Sequence, residues 1–164
     1  MLTGPIIQIA YVVPDLDAAA EWWVRSMGCG PFFLARHMQH TAITYGDAPC
    51  AADFSAAFGM LGEINIELIQ QHDALPSPYL AHVGNPAPHH IATASLDIDA
   101  DEKTLIAAGM TVVARGLGET GVKWSLLEGG VMDRIELIQF PKGPTLSQIL
   151  KDAAAAWDGK TVFL

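Results

Sequence analysis

Residues 6–18 read IIQIAYVVPDLDA, and residues 88–100 read PHHIATASLDIDA. The two stretches align without a gap at an offset of 82. Ile9, Ala10, Asp15, Asp17 and Ala18 match Ile91, Ala92, Asp97, Asp99 and Ala100. A second match follows in the same order: Ile66-Glu67-Leu68-Ile69-Gln70 recurs unchanged as Ile135-Glu136-Leu137-Ile138-Gln139, at an offset of 69. Two matches in one order mark a duplicated unit. The second copy is the shorter between its landmarks, with 46 residues from His90 to Glu136 against 59 from Gln8 to Glu67.

Each copy reads outward from these stretches as βαβββ. In the first, a strand at Ile6–Val13 is followed by a helix over 15–27, with Asp15 as N-cap and Gly28 past its end. Strands are expected near Phe32–Tyr45, Cys50–Phe58 and Glu63–Gln71, with Gly59 and Gly62 marking the turn before the last. In the second, a strand at His89–Ser95 precedes a helix over 100–108. Asp99 and Glu102 are spaced as its capping box. Strands follow near Met110–Arg115, Val122–Leu127 and Val131–Phe140, with Gly129-Gly130 as a hairpin turn. The expected organisation is one domain over 1–164, with repeats at 5–71 and 89–141. Pro76, Pro78, Pro86 and Pro88 mark 72–88 as the linker, and residues 144–164 form a C-terminal helix and tail. The fold class is α+β.

Composition narrows the function. The 164 residues are 51% apolar and only 16% charged, too hydrophobic for a disordered chain. No apolar run reaches the ~20 residues of a membrane span, and Met1–Ile9 lacks the basic head of a secretory signal. Nine basic residues against eighteen acidic ones give a formal charge of −9, which argues against nucleic acid and anionic membrane as partners. Two cysteines, Cys29 and Cys50, are too few for a secreted scaffold, so a reducing cytoplasm is expected. Neither has a charged neighbour that would make it a nucleophile.

Side chains alternate across a strand. Gln8 shares a face with Ile6, Ala10 and Val12, and His90 shares one with Ala92 and Ala94. Glu67 lies with Asn65, Ile69 and Gln71, and Glu136 with Arg134, Ile138 and Phe140. The opposite faces carry Ile7, Ile9, Tyr11, Ile66, Leu68, Ile91, Ile135 and Leu137, which are expected to pack under the helices. The first faces mix polar groups with small residues and leave room for a cavity. Trp124, Phe33, Phe54 and Met60 either line that cavity or pack in the core. Arg134 either holds a substrate anion or pairs with a nearby glutamate. His37 and His40 point opposite ways along a strand and form no ligand pair.

Paired βαβββ units with a polar residue early in the first strand and a glutamate in the last resemble the vicinal oxygen chelate superfamily. That group includes glyoxalase I, methylmalonyl-CoA epimerase, extradiol dioxygenases and bleomycin-binding proteins. Met27-Gly28-Cys29-Gly30-Pro31-Phe32-Phe33 is similar to the Gly-x-Gly-Pro-Phe segment of its glyoxalase and epimerase-like branch. The resemblance covers residues 5–141. It implies curved mixed sheets around one cavity and one divalent metal, Zn, Ni, Co or Mn, held by Gln8, Glu67, His90 and Glu136. Extradiol dioxygenases need two histidines and a carboxylate for iron, a set that Gln8 breaks.

One imidazole, one amide and two carboxylates balance a dication and leave room for substrate. With the resemblance, they imply an isomerase, epimerase or glyoxalase-type lyase that removes a proton next to a carbonyl through a metal-bound enediolate. Glu136 would be the main base and Glu67 its partner, with Arg134, Trp124 and Phe54 as substrate contacts. Glutathione-using glyoxalases carry an arginine and an asparagine where this chain has Val12 and Gln71. The competing reading is a non-catalytic drug-binding protein of the bleomycin-resistance type. The resemblance also implies a small-molecule substrate and a homodimer.

Overall fold

The computed structural model describes residues 1–38, 40–118, 120–143 and 146–164, the side chains of His40 and Thr41 excepted. Pro144 and Thr145, the first residues of the expected C-terminal segment, lie outside them, as does Gln39 within an expected strand. Along the chain the elements are β1 (Ile6–Val12), α1 (Leu16–Met27), β2 (Phe33–Ala35), β3 (His40–Tyr45), β4 (Ala48–Pro49), β5 (Phe54–Leu61), β6 (Ile64–Gln71), β7 (His90–Ala94), α2 (Ile98–Ala107), β8 (Thr111–Gly118), β9 (Lys123–Glu128), β10 (Arg134–Gln139) and α3 (Leu146–Ala155). A short 3₁₀ turn sits at Leu80–His82.

The strands form one mixed sheet in the order β2-β5-β6-β1-β7-β10-β9-β8-β3-β4. β1 and β7 pair antiparallel at its centre. β6 runs parallel to β1, and β10 parallel to β7. Read outward from the centre, β1-β6-β5-β2 and β7-β10-β9-β8 follow the same plan. The extra length of the first copy falls in the β3–β4 hairpin, which leaves its own half and pairs with β8 on the far side. The sequence-expected strand over 32–45 is therefore two strands at different places in the sheet.

Both α1 and α2 lie on one face. Leu16, Ala20 and Val24 of α1 pack on Ile66 and Leu68, with Ile9 and Tyr11 alongside. Ile98 and Leu105 of α2 pack on Leu127, Ile135 and Leu137. This is the expected apolar face, with one correction. Ile7 belongs to the opposite side, because the β1–β7 register slips between Ile6 and Gln8. Such a bulge breaks the alternation and turns Ile7 toward the cavity that Gln8 also lines.

The helix starts follow the repeat. The Asp15 carboxylate accepts the Ala18 N–H at 2.9 Å, and Gly28 ends α1 in the left-handed region at φ 63°. The matching Asp97, not Asp99, caps α2 by accepting the Ala100 N–H at 3.1 Å. Glu102 forms no capping box. It takes two hydrogen bonds from Arg115, at 2.9 and 2.8 Å.

Gly59 also differs from expectation: it lies inside β5, and only Gly62 sits in the turn. A Cβ at Gly59 would stand 2.8 Å from the ring of Phe32, so the glycine lets that buried ring lie on the strand. Phe32 is held in turn by the C-terminal tail. Its N–H donates to Val162 at 2.8 Å, and its carbonyl accepts the Leu164 N–H at 2.9 Å. α3 crosses β5 on the side away from α1 and closes one wall of the cavity.

Candidate metal centre and cavity

The four central strands β6-β1-β7-β10 bring the repeated polar residues together. Ala10 is the register partner of both Glu67 and His90, and Ala92 is the partner of Glu136. Methyl groups between the functional residues leave their longer side chains free to converge. Oε2 of Glu67 lies 3.5 Å from Nε2 of His90, and Oε2 of Glu136 lies 3.4 Å from the same nitrogen. One ligand atom from each of Glu67, His90 and Glu136 falls within 4.8 Å of the others. Gln8 reaches the group through its amide nitrogen, which donates to Glu67 Oε2. Only its amide oxygen can ligate a cation, so in this arrangement Gln8 orients Glu67.

His90 Nε2 is buried and has no hydrogen-bond partner among the described residues. The two carboxylates beside it are near enough for charge attraction but fail hydrogen-bond geometry. A buried nitrogen left without a donor or acceptor is costly unless something else occupies its direction. Two carboxylates and one imidazole aimed at one point are the donor set of a divalent cation. The residues present therefore fit the group that the resemblance implies.

His89 fixes how His90 presents that nitrogen. His89 Nε2 donates to the carbonyl of Pro78 at 3.1 Å. Burial, then the neighbouring His90 charge, pushes His89 down to about 3, so its ring is neutral and its Nδ1 carries a lone pair. That Nδ1 faces Nδ1 of His90 at 2.9 Å. His90 must therefore donate from Nδ1, which leaves Nε2 facing the carboxylates. Burial opposes a proton on Nε2, but the adjoining Glu136 and Glu67 outweigh it and hold His90 up at about 9. Glu67 is raised as well, by burial first and by the Glu136 charge, against the pull of His90 and Gln8.

The group opens into a cavity of about 690 Å³. Gln8, Glu67 and Glu136 line its polar part. Phe54 and Trp124, both expected as substrate contacts, line its apolar part, as does Phe33. Met60 is buried away from it. Arg134 is not a lining residue. Its guanidinium lies 2.8 Å from Asp133 and 3.5 Å from Glu128. At the glutathione positions, Val12 is buried among apolar side chains. Gln71 closes a turn through Leu75 at 2.8 Å and Ser77 at 2.6 Å. His37 pairs with Asp53 at 2.8 Å.

The sequence reading missed His89, Tyr79 and the α3 wall. His89 was legible as the neighbour of a repeated position, since adjacent histidines at one strand start are uncommon. Tyr79 had no such signal. It lines the cavity and packs against His89 at a centroid distance of 5.3 Å, the ring planes tilted by 59°.

The chain belongs to the glyoxalase/bleomycin resistance protein/dioxygenase superfamily, whose family model matches residues 7–126. This is the vicinal oxygen chelate fold that the repeated strands resemble. Among solved structures it is similar to methylmalonyl-CoA epimerase from Mycobacterium tuberculosis, at 22% identity over 90% of this chain and 93% of that one, with a TM-score of 0.57. It is also similar to a single-substitution variant of Streptomyces coelicolor methylmalonyl-CoA epimerase in complex with 2-nitronate-propionyl-CoA. That match has 19% identity over 85% and 99% of the chains and a TM-score of 0.55. A hypothetical protein from Bacillus halodurans matches at 16% identity over 87% and 99%, with a TM-score of 0.59. No curated protein matches the chain. No helix among the described residues is long and apolar enough to cross a membrane.

Proposed function

We propose that this protein is a metal-dependent isomerase, epimerase or lyase that moves a proton next to a carbonyl of a small molecule. The observation that carries the reading is the pair of carboxylates that converge within 3.5 Å of the buried His90 Nε2, neither of them in hydrogen-bond geometry with it. A divalent cation held by Glu67, His90 and Glu136 would supply Lewis acidity to the carbonyl oxygen, and Gln8 would join as fourth donor only with its amide turned to present the oxygen. Glu136 takes the proton from the adjacent carbon, and the electron pair of the broken C–H bond moves into the carbonyl. Glu67, after taking up a proton from solvent, delivers it to the same carbon or its neighbour, and Glu136 releases the proton it took to solvent. Gln8 holds Glu67 in place for that step, and the apolar walls exclude water. The finer assignments rest on the same reading: a Zn, Ni, Co or Mn ion, a homodimer, and a reducing cytoplasm in keeping with two free thiols.

Drug capture without turnover, the competing reading, leaves three converging titratable groups, two of them buried, without a task. The test has two parts. Protein purified without chelator is assayed for bound metal, with Glu136→Ala as control; a stoichiometry near one is expected. The metal-loaded chain is then incubated in deuterium oxide with a panel of 2-hydroxy and 2-oxo carbonyl compounds. Deuterium uptake next to the carbonyl, abolished in Glu136→Gln, is the expected result. Full exchange in that variant would remove Glu136 as base.

A further inference from the structure

The cavity's walls narrow what it accepts. Phe33, Phe54, Phe58, Trp124 and Phe140 surround it, and Ile149 and Leu150 of α3 close one side. Phe33 and Ile149 are 39% and 53% exposed, which gives the entrance an apolar rim. Among the described residues that line it, Lys142 is the sole basic side chain. Among the described residues, the acidic groups that line it are Glu67 and Glu136, which converge with His90 within 4.8 Å. A cavity of this volume takes a drug-sized molecule, and its lining is mostly apolar and aromatic around the converging carboxylates, with Asn65, Thr120, Ser147 and Lys142 as further polar side chains.

Resting on the proton-transfer reading, we propose that the substrate is a ring-bearing apolar carbonyl compound. Its oxygens lie together at one end, and its body carries at most one negative charge. A phosphate-rich carrier such as coenzyme A has no place inside these walls. Its several anionic groups would meet one lysine, and Arg134, the nearest arginine expected by sequence, is turned to Asp133 and Glu128. An aromatic body instead gains area against six rings, Tyr79 included, and the oxygens reach the carboxylates where the cation would sit.

The probes are two hydroxamates, which present the same paired oxygens: acetohydroxamate and biphenyl-4-hydroxamate, titrated calorimetrically into zinc-loaded full-length protein. Burial of the two rings should tighten binding by roughly 100-fold or more. Ile149→Lys, at the exposed rim, should remove most of that gain while leaving acetohydroxamate unaffected. Biphenyl-4-carboxamide, which lacks the chelating pair, should still bind the metal-free chain weakly and quench its tryptophan fluorescence. Coenzyme A should not displace biphenyl-4-hydroxamate. Equal affinity of the two hydroxamates, or displacement by coenzyme A, overturns the substrate class even if zinc loads. If zinc does not load but the carboxamide binds, and Ile149→Lys abolishes it, the proton-transfer reading fails while the apolar class stands.

Discussion

His89 and His90 are neighbours in sequence, yet their Nδ1 atoms face each other across 2.9 Å. Because the Pro78 carbonyl takes the only proton of neutral His89, that contact requires His90 to donate from Nδ1, whether its Nε2 carries a proton or a cation. The linker between the two halves thus decides which nitrogen of a strand residue faces the carboxylates.

Removing this relay should weaken cation binding more than it weakens the fold. His89→Ala is expected to lose roughly 10–100-fold in zinc affinity, measured by competition with a chromophoric chelator. His89→Asn places an amide oxygen near the Nδ1 position and should recover part of the loss. Equal affinities in all three proteins would remove His89 from the site.

Glu67 and Glu136 burden the metal-free protein by their proximity. Glu67→Gln removes one of two buried acids, and the Gln8 amide can turn to suit the new neighbour. We expect the metal-free melting temperature to rise by about 2–4 °C, equivalent to ~1 kcal/mol for a chain of this size. The stabilisation that zinc gives the wild type should shrink sharply in the same variant. Thermal scans with and without zinc read both effects at once.

Acidity should act on cation uptake in one direction. His90 sits at about 9 in the folded metal-free chain against 6.5 for an ordinary histidine, so at neutral pH a cation must displace its proton. Zinc affinity is therefore expected to climb with pH until about 9 and to level off above it. The metal-free chain should show the opposite trend. A raised pKa contributes stability that is complete below 6.5 and lost as pH rises through about 9. Chelator competition and urea midpoints across that window check the two slopes, and His90→Gln should flatten both.

Trp124 reaches the cavity because position 116 has no side chain. A Cβ at Gly116 would lie 2.1 Å from the indole, an impossible contact. Gly116→Ala should swing the ring and cost about 1–3 kcal/mol by overpacking. Adding Trp124→Leu should restore most of that loss, as a double-mutant cycle in denaturant would show.

The duplicated strands were legible because the same residues recur at matching places, and a repeat states which positions share a role. The offset of 82 also points to Asp97 as the mate of Asp15, where capping-box spacing favours Asp99. Local rules err there because an aspartate two residues along satisfies the same template. Ile7 could not be read, since a bulge is a property of two strands and leaves no mark on one. The partner of β3 was hidden for the same reason: its ladder to β8 joins stretches far apart in the sequence. Arg134 alternates correctly with Glu136, but it begins β10 beside Asp133, which captures it before the cavity can.

The β3–β4 hairpin makes each half of the chain borrow from the other. A polypeptide cut within 72–88 would give one piece with an orphaned hairpin and another with a bare outer strand at β8. Neither piece holds a complete set of hydrogen-bonding neighbours, and the ligands are split between them. Mixed together, the pieces have a reason to associate that separate duplicated lobes would lack, and only their union rebuilds the centre.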